Sequence, residues 1–214
     1  MPDTDRQRLY VVTPVVREPA AVAARLETAL GAGVDVAAVL VRLPPTLAER
    51  DAINAVKAIA PVAQRHGAAV LVEDRPDIVA RAGADGAHLT GAEALRTAIG
   101  SLKPALIAGA GALRTRHDAM LAAEAGADYV MFGEPGADGK PPPLDVTVER
   151  VGWWAEVFET PCVGFCASLD EVAPVAAAGA DFVALGEAFL DDPRGADVAL
   201  REVAALLAQA EATP

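Results

Sequence analysis

Acidic side chains follow several of the apolar runs in this chain, and as a group they could do chemistry. Glu73 and Asp74 come directly after one apolar run, and Glu134 and Glu187 follow the glycines that end two later runs. Glu93 lies nineteen residues beyond Asp74. Carboxylate oxygens are the ligands that Mg²⁺ prefers, so carboxylates that converge on one place predict a magnesium site. The alternative is a solvated acidic rim on an acidic protein.

A four-residue phrase, Ala-Gly-(Ala/Val)-Asp, indicates which elements position these side chains. Its copies begin at Ala32, Ala82, Ala125 and Ala178, with spacings of 50, 43 and 53 residues. Each copy follows an Ala-rich helical stretch, where a Gly can adopt the left-handed conformation that ends a helix. Each also precedes a short apolar run, as expected for a strand buried on both faces. Since one βα unit takes about 25–30 residues, the copies mark every second strand of an eight-stranded barrel.

The other apolar runs complete eight βα units. Strands are predicted at residues 9–13, 36–41, 69–73, 86–89, 106–109, 129–132, 161–164 and 182–185. Helices are predicted at residues 20–30, 47–66, 77–82, 92–99, 116–125, 146–158, 169–178 and 198–210. The fold class is therefore α/β, a (β/α)8 TIM barrel formed by a single domain over residues 1–214. An open doubly wound sheet is the alternative, but it would not require eight regular units.

Composition excludes several classes of partner. The net charge is −12, from 18 basic and 30 acidic residues, and this disfavours nucleic acid and anionic membranes, which bind cationic surfaces. No apolar stretch approaches the ~18 residues of a membrane span, and the polar N-terminus lacks a signal-peptide core. In an extended strand Cys162 and Cys166 would lie about 13 Å apart, too far for a disulfide. We therefore expect a cytoplasmic protein with reduced thiols and a small-molecule ligand.

In a TIM barrel the active site lies at the C-terminal ends of the strands. The aspartates of the repeated phrase precede their strands, so they belong to the opposite end, where we expect them to bond local backbone donors. The polar residues that follow strands belong to the mouth of the barrel. They include Arg42 and Lys140 as well as the carboxylates. We expect His88, near the end of a buried strand, to be a hydrogen-bonded core residue.

Several segments resemble thiamine phosphate synthase, in the right order and over nearly the whole chain. They are Leu9-Tyr10-Val11-Val12-Thr13, the Val72–Asp77 segment, the run from Ala82 to Leu89, the run from Ala123 to Val130, and Pro161-Cys162-Val163-Gly164. The chain is thus similar to the superfamily that also holds the thiazole tautomerases. The resemblance implies a (β/α)8 barrel that couples hydroxymethylpyrimidine pyrophosphate to thiazole phosphate with Mg²⁺. It also implies a homodimer as an alternative to the monomer.

The resemblance assigns candidate substrate-binding residues. Arg42 matches the Arg of the family's Gln-Leu-Arg-Glu-Lys motif, and Lys140 matches the Lys of its Thr-x-Thr-Lys loop, so both would contact pyrophosphate. Glu73 stands where the family has Asn, and Glu187 stands where it has Ser. For the metal, Asp74 and Glu93 fall at the positions of the family's two carboxylates, although Glu93 is longer than the family's residue.

Other family motifs are missing. Pro44 replaces the pyrophosphate-binding Lys of the second strand, and Cys166-Ala167 replaces a Gly-Gly pair that lets backbone amides approach a phosphate. About four phosphate contacts are absent, and at ~1.5–3 kcal/mol each their loss would weaken binding by ~10⁴-fold. Three hypotheses stay open: a synthase with Mg²⁺, a small-ligand-binding or regulatory barrel without synthase chemistry, and an enzyme that acts on a less phosphorylated substrate.

Overall fold

A computed structural model describes residues 7–136 and 138–211, and the strands within these residues form one closed parallel barrel in the order β1 to β8. Each strand pairs with the next along the chain, and β8 closes the barrel by pairing with β1. The strands are β1 (Arg8–Val12), β2 (Val36–Val41), β3 (Ala69–Glu73), β4 (Gly86–Thr90), β5 (Ile107–Gly111), β6 (Tyr129–Phe132), β7 (Cys162–Cys166) and β8 (Phe182–Leu185).

Helices follow the strands and cover the outside of the barrel. They are α1 (Pro19–Leu30), α2 (Glu49–Arg65), α3 (Val79–Ala82), α4 (Ala92–Leu102), α5 (Arg116–Glu124), α6 (Leu144–Val157), α7 (Val172–Ala177), α8 (Glu187–Leu190) and α9 (Ala196–Glu211). A short 3₁₀ turn at Leu169–Glu171 precedes α7. None of the described helices combines the length and the apolar character that a membrane span requires.

The predicted (β/α)8 barrel is confirmed, and four of its strands have the predicted bounds. The main difference is α8, a single turn between β8 and α9 that the periodicity did not predict because four residues are too few to show a helical repeat. The helix predicted at 169–178 is split, since its first turn is 3₁₀. Ala137, in the loop that precedes Lys140, lies outside the described residues.

The Ala-Gly-(Ala/Val)-Asp copies have the left-handed glycines that the sequence predicts. These four glycines have φ between +73° and +98°, the left-handed conformation that lets a helix end and turn into the next strand. Asp85, Asp128 and Asp181 each accept a hydrogen bond of 2.7 Å from the backbone amide of a neighbouring odd-numbered strand. The fourth, Asp35, instead pairs with Arg8 at the start of β1. This end of the barrel is therefore structural.

Two apolar cores hold the barrel together. The larger core lies between the strands and the helices, and the smaller one fills the barrel interior with side chains that include Tyr10, Leu40, Leu71, Met131 and Phe165. The interior is a packed core and not a pore, as is usual for this fold. Cys162 and Cys166 are free and buried, as expected for reduced thiols.

Candidate functional site

A cavity of 890 Å³ opens at the C-terminal ends of β3 to β6. Carboxylates line it from two sides, since Glu73 and Asp74 lie at the end of β3 and Glu134 follows β6. Cations line it from the loops after β5 and β6, where Arg114 and Lys140 lie. The sequence-predicted mouth of the barrel thus contains a site of the size that small-molecule ligands occupy.

A chain of buried polar groups runs from this cavity into the barrel interior. Glu134 Oε1 lies 3.0 Å from His88 Nε2, and His88 Nδ1 lies 2.7 Å from the hydroxyl of Tyr129. That hydroxyl lies 2.9 Å from the hydroxyl of Tyr10. His88 is 1% exposed and both tyrosines are buried, so His88 is the hydrogen-bonded core residue that we expected, but it also contacts a side chain of the cavity.

Two glycines of β5 make room for this network. A Cβ on Gly109 would lie 2.0 Å from the Tyr129 ring, and a Cβ on Gly111 would lie 1.9 Å from Glu134 Oε2 and 2.3 Å from His88 Nε2. Strand side chains alternate between the two faces of a sheet, so residues 109 and 111 share one face. The absence of side chains on this face of β5 allows the groups of β4 and β6 to meet across it.

Glu134 and His88 each shift the pKa of the other towards the charged form. Burial raises the pKa of Glu134, but the His88 imidazolium and the Ala112 amide outweigh burial, and the pKa of Glu134 is lowered overall. Burial also lowers the pKa of His88, but the Glu134 carboxylate outweighs this effect, and the pKa of His88 is raised. Each group thus favours the charged form of the other, and a protonated His88 would donate from both ring nitrogens.

Three of the predicted substrate-binding residues meet beside the cavity. Arg42 lies 3.3 Å from a carboxylate oxygen of Glu73 and 3.8 Å from one of Glu187. Burial raises the pKa of Glu73, and the charge of Arg42 only partly offsets this effect. Arg42 therefore does not present a free positive charge, because two carboxylates of the chain already neutralise it.

Lys140, the fourth predicted substrate-binding residue, lies on a different side of the cavity together with Arg114 and Arg150. Arg150 donates to the backbone carbonyls of Leu113 and Arg114, at 3.3 and 2.6 Å. Within residues 7–136 and 138–211, none of these three cations forms a salt bridge. In contrast to Arg42, these cations of the cavity have no salt-bridge partner among the described residues, although the Asp138 carboxylate lines the same cavity and accepts the Lys140 amide at 3.1 Å.

The two predicted metal ligands have separate partners. Asp74 Oδ1 accepts the Thr90 amide and Asp74 Oδ2 accepts the Thr90 hydroxyl, both at 2.7 Å. Glu93 lies in the first turn of α4, where its side chain is 76% exposed and pairs with Arg96 at 2.8 Å. Among the described residues, no three His, Cys, Asp or Glu side chains are grouped to hold a metal ion. The carboxylates that are present do not form a metal site by themselves.

The loops after β7 and β8 present carboxylates where the resemblance places a phosphate. The Ala167 amide donates to Glu171 Oε2 at 2.6 Å, so a carboxylate of the chain itself occupies this donor. Glu187 begins α8, and its side chain is 58% exposed. Both features support the prediction from sequence that the phosphate-binding motif after β7 is lost.

Sequence reasoning missed the connection between His88 and Glu134 and the role of Glu171. The available signal was the alternation of glycines in β5, Ile107-Ala108-Gly109-Ala110-Gly111, which leaves one face of the strand without side chains at positions 109 and 111. Arg150 was missed because it lies in α6 and not directly after a strand.

The chain is similar to known proteins over most of its length. Residues 9–189 match the family model described as thiamine monophosphate synthase. The thiamine-phosphate synthase of Rhodospirillum centenum is 38% identical over 201 residues, which cover 91% of this chain and 95% of that protein. The thiamine-phosphate synthase of Hyphomonas neptunium is 35% identical, with 94% of each chain covered.

Solved structures show the same fold. The thiamine phosphate pyrophosphorylase from Pyrococcus furiosus superposes with a TM-score of 0.78 at 22% identity, covering 97% of this chain and 98% of that one. The 3-hexulose-6-phosphate synthase from Salmonella typhimurium superposes with a TM-score of 0.73 at 19% identity, covering 95% and 100%. The fold agrees with the family match, and this chain belongs to the thiamine monophosphate synthase family.

Proposed function

We propose that this protein is a transferase of the thiamine phosphate synthase type, which joins a pyrimidine diphosphate to a thiazole in the cavity at the barrel mouth. The observation that carries the proposal is the distribution of charge around the cavity. Arg114, Lys140 and Arg150 provide positive charge on one side, and Glu134 provides an ionised carboxylate on another. A ligand with an anionic diphosphate tail and a basic ring complements this distribution.

The chemistry that such a site supports is displacement of diphosphate. The C–O bond between the pyrimidine methylene and the diphosphate breaks, the diphosphate leaves with the electron pair, and the thiazole nitrogen forms a new C–N bond to the methylene. Cations that already face the leaving group stabilise the charge that develops on it. We assign this role to Lys140, Arg114 and Arg150, and to Arg42 only if a ligand displaces Glu187 from it.

Mg²⁺ is part of the family resemblance, but the donors in this chain fit it poorly. Asp74 is oriented by two hydrogen bonds from Thr90 and Glu93 pairs with Arg96, and among the described residues no three candidate ligands are grouped. Asp74 lines the 890 Å³ cavity, whereas Glu93 lines a neighbouring one. The cations of the cavity therefore stabilise the leaving group in this proposal, and the assay below tests the Mg²⁺ prediction for Asp74 and Glu93.

A second candidate function is the same transfer to an acceptor that lacks the phosphate. Glu171 occupies the Ala167 amide, and Glu187 places negative charge after β8. A carboxylate ~4 Å from a phosphate repels it by ~4 kcal/mol at an effective dielectric constant of 20. This repulsion favours the thiazole alcohol over the thiazole phosphate. A cytoplasmic location and a homodimer belong to the same proposal, since both are properties expected of the family.

The test is a coupling assay with purified protein and hydroxymethylpyrimidine pyrophosphate. Thiazole phosphate and thiazole alcohol are supplied separately as acceptors, with Mg²⁺ or with a chelator, and product is oxidised to thiochrome and measured by fluorescence. Turnover with either acceptor supports the transferase, and the ratio of the two rates decides between the two candidates. No turnover with either acceptor, beside an active control synthase, would reject both and leave the small-ligand-binding or regulatory barrel.

Variants separate the roles of the cations. We expect Lys140→Met to raise the concentration of pyrimidine diphosphate required for half-maximal rate, because it removes a charge from the cavity. Lys57→Met is the matched control, since Lys57 lies on the exposed face of α2 and forms no salt bridge within the described residues. Equal effects of the two substitutions would contradict the assignment of Lys140.

A further inference from the structure

A line of buried polar side chains crosses the interior of the barrel. Tyr10 lies in β1, Tyr129 in β6 and His88 in β4, three strands of which no two are neighbours. The two tyrosine hydroxyls lie 2.9 Å apart, and the Tyr129 hydroxyl lies 2.7 Å from His88 Nδ1. Among the described residues, no buried side-chain nitrogen or oxygen lacks a hydrogen-bond partner. A fully satisfied buried network of this kind holds its members in one arrangement.

The outer end of this line is the Glu134 carboxylate. Its Oε1 accepts from His88 Nε2 at 3.0 Å, and its Oε2 accepts from the Ala112 amide at 2.7 Å. The side chain is 15% exposed and lines the 890 Å³ cavity. Neither tyrosine is among the described residues that line this cavity. The tyrosines therefore influence the cavity through His88 and Glu134.

The two hydroxyls keep the His88 ring directed at Glu134 in either protonation state. Because a carboxylate only accepts, His88 Nε2 carries the hydrogen of that contact. When His88 is neutral, Nδ1 is an acceptor, so Tyr129 donates to it and accepts from Tyr10. When His88 is protonated, Tyr129 accepts from Nδ1 and donates to Tyr10. The pair of hydroxyls thus satisfies both forms of His88 without a change in the orientation of the ring.

Ring packing supports the same arrangement independently of the hydroxyls. The Tyr129 ring stacks on His88 with centroids 5.7 Å apart, and it meets the Tyr10 ring edge-on at 5.8 Å. Gly109 leaves the space for this packing, since a Cβ there would lie 2.0 Å from the Tyr129 ring. A phenylalanine in place of either tyrosine would keep the ring contacts and lose only the hydrogen bonds. The contribution of the hydroxyls can therefore be measured by itself.

We propose that Tyr10 and Tyr129 are positioning residues that act through His88 and hold the Glu134 carboxylate in place for the transfer reaction. When the diphosphate leaves with the electron pair, positive charge develops on the pyrimidine methylene. A carboxylate that is already fixed at the cavity wall stabilises this charge without having to reorient. The role in turnover rests on the proposed function, whereas the positioning of Glu134 does not.

The first test uses the Ala112 amide as a reporter of the position of Glu134, because it donates to Oε2. Hydrogen exchange of this amide is followed by nuclear magnetic resonance in the full-length protein without ligands. We expect Tyr129→Phe to accelerate it about tenfold, as the loss of a hydrogen bond in the line implies. The Cys162 amide is the matched control, since it also donates to a carboxylate at 2.7 Å, that of Asp181 at the opposite end of the barrel. Its exchange should rise no more than about threefold.

The order of the line gives a second test. Tyr10 reaches His88 through Tyr129, so Tyr10→Phe should accelerate exchange of the Ala112 amide less, by about threefold. The double variant should exchange no faster than Tyr129→Phe alone, because interacting residues of one network are not additive. Val163→Ala is the control for lost stability, since it removes buried apolar atoms from the same interior core. It should accelerate the Ala112 and Cys162 amides equally.

The third test is the rate in the coupling assay. We expect Tyr129→Phe to lower kcat about tenfold and to leave KM for the pyrimidine diphosphate within about twofold. The cations of the cavity are unchanged in this variant, so binding of the diphosphate is retained. Val163→Ala should leave kcat unchanged, since Val163 lies in β7 and is not among the described residues that line the cavity.

Each outcome decides the proposal. An equal rise for the Ala112 and Cys162 amides in Tyr129→Phe overturns it, because the hydroxyl would then contribute only to general stability. Additive effects in the double variant overturn the order of the line, and a raised KM with unchanged kcat overturns the role in turnover. Selective exchange of the Ala112 amide, combined with no coupling by the unsubstituted protein, would leave the positioning of Glu134 standing and reject only the proposed function.

Discussion

The two ends of the barrel use the same kind of side chain in different ways. At the end where the strands begin, Asp85, Asp128 and Asp181 each accept one backbone amide, at the same distance of 2.7 Å and in the same relation to a neighbouring strand. At the mouth, the carboxylates have several kinds of partner. Asp74 accepts from Thr90, Glu134 accepts from His88 and Ala112, and Arg42 pairs with two carboxylates.

This difference indicates that one end of the barrel stabilises the fold and the other end binds ligands. The repeated arrangement satisfies one amide per βα pair, and nothing in it faces the 890 Å³ cavity. The irregular arrangement gathers charge around that cavity and includes two non-glycine residues with positive φ, Asp74 and Ala112. We therefore expect substitutions at the first end to change the free energy of unfolding, and substitutions at the mouth to change ligand binding.

The largest effect is expected where the mouth depends on close packing. In Gly111→Ala the new Cβ would lie 1.9 Å from Glu134 Oε2, so the buried His88–Glu134 pair must separate or the strand must shift. We expect the free energy of unfolding to fall by about 3–5 kcal/mol, as when a buried ion pair is broken. Urea denaturation followed by circular dichroism measures this change.

Gly100→Ala is the control for that substitution. Gly100 lies in α4, and a Cβ there would meet open space within 4 Å. Replacement of a helical Gly by Ala should therefore stabilise the protein by about 0.5–1 kcal/mol. If Gly111→Ala were as well tolerated as Gly100→Ala, the described contact between β5, His88 and Glu134 would be wrong.

The next largest effect is expected at the structural end. Asp181→Ala removes the acceptor of the Cys162 amide, which belongs to a fully buried residue. A buried donor without a partner costs about 1–3 kcal/mol, so we expect a loss of that size in the free energy of unfolding. Glu156→Ala, on an exposed helix face, should change it by no more than about 0.5 kcal/mol. A change in ligand binding in Asp181→Ala would contradict the assignment of stability to this end of the barrel and of ligand binding to the mouth.

A substitution at the mouth should change ligand binding and leave the free energy of unfolding nearly unchanged. Glu187→Gln removes negative charge after β8 and releases Arg42 from one of its two carboxylates. Because the Glu187 side chain is 58% exposed, we expect unfolding to change by less than about 0.5 kcal/mol. Binding of thiazole phosphate, measured by calorimetry, should strengthen by about tenfold relative to thiazole alcohol, since the repulsion is lost. An unchanged ratio would show that Glu187 does not select the acceptor.

Regular features of the sequence predicted the fold well. The repeated Ala-Gly-(Ala/Val)-Asp phrase located the even-numbered strands because each of those turns has a left-handed Gly, and at three of them the Asp accepts a backbone amide. The single turn of α8 was not predicted, because its position depends on packing after β8 and not on a repeat.

The site was predicted only in part, because its contacts join residues that are distant in sequence. Lys140, Glu73 and Asp74 do line one cavity, and Arg42 does reach Glu187. The link between His88 and Glu134 spans 46 residues and exists only because β5 carries glycines between β4 and β6. Periodicity places each residue on a face of its own element, but it does not show which side chain on another strand fills the space.

The smallest effect is expected at Glu93, and it tests the weakest part of the predicted site. Its pair with Arg96 is exposed and screened by solvent, so Glu93→Gln should leave unfolding nearly unchanged. In the coupling assay, we expect the Mg²⁺ concentration at half-maximal rate to shift by less than twofold, because Glu93 lines a different cavity from Asp74. A rise of tenfold or more would show that ligand binding draws Glu93 away from Arg96 and towards Asp74. The mouth would then rearrange around its ligands, while the aspartates at the opposite end would keep the same partners.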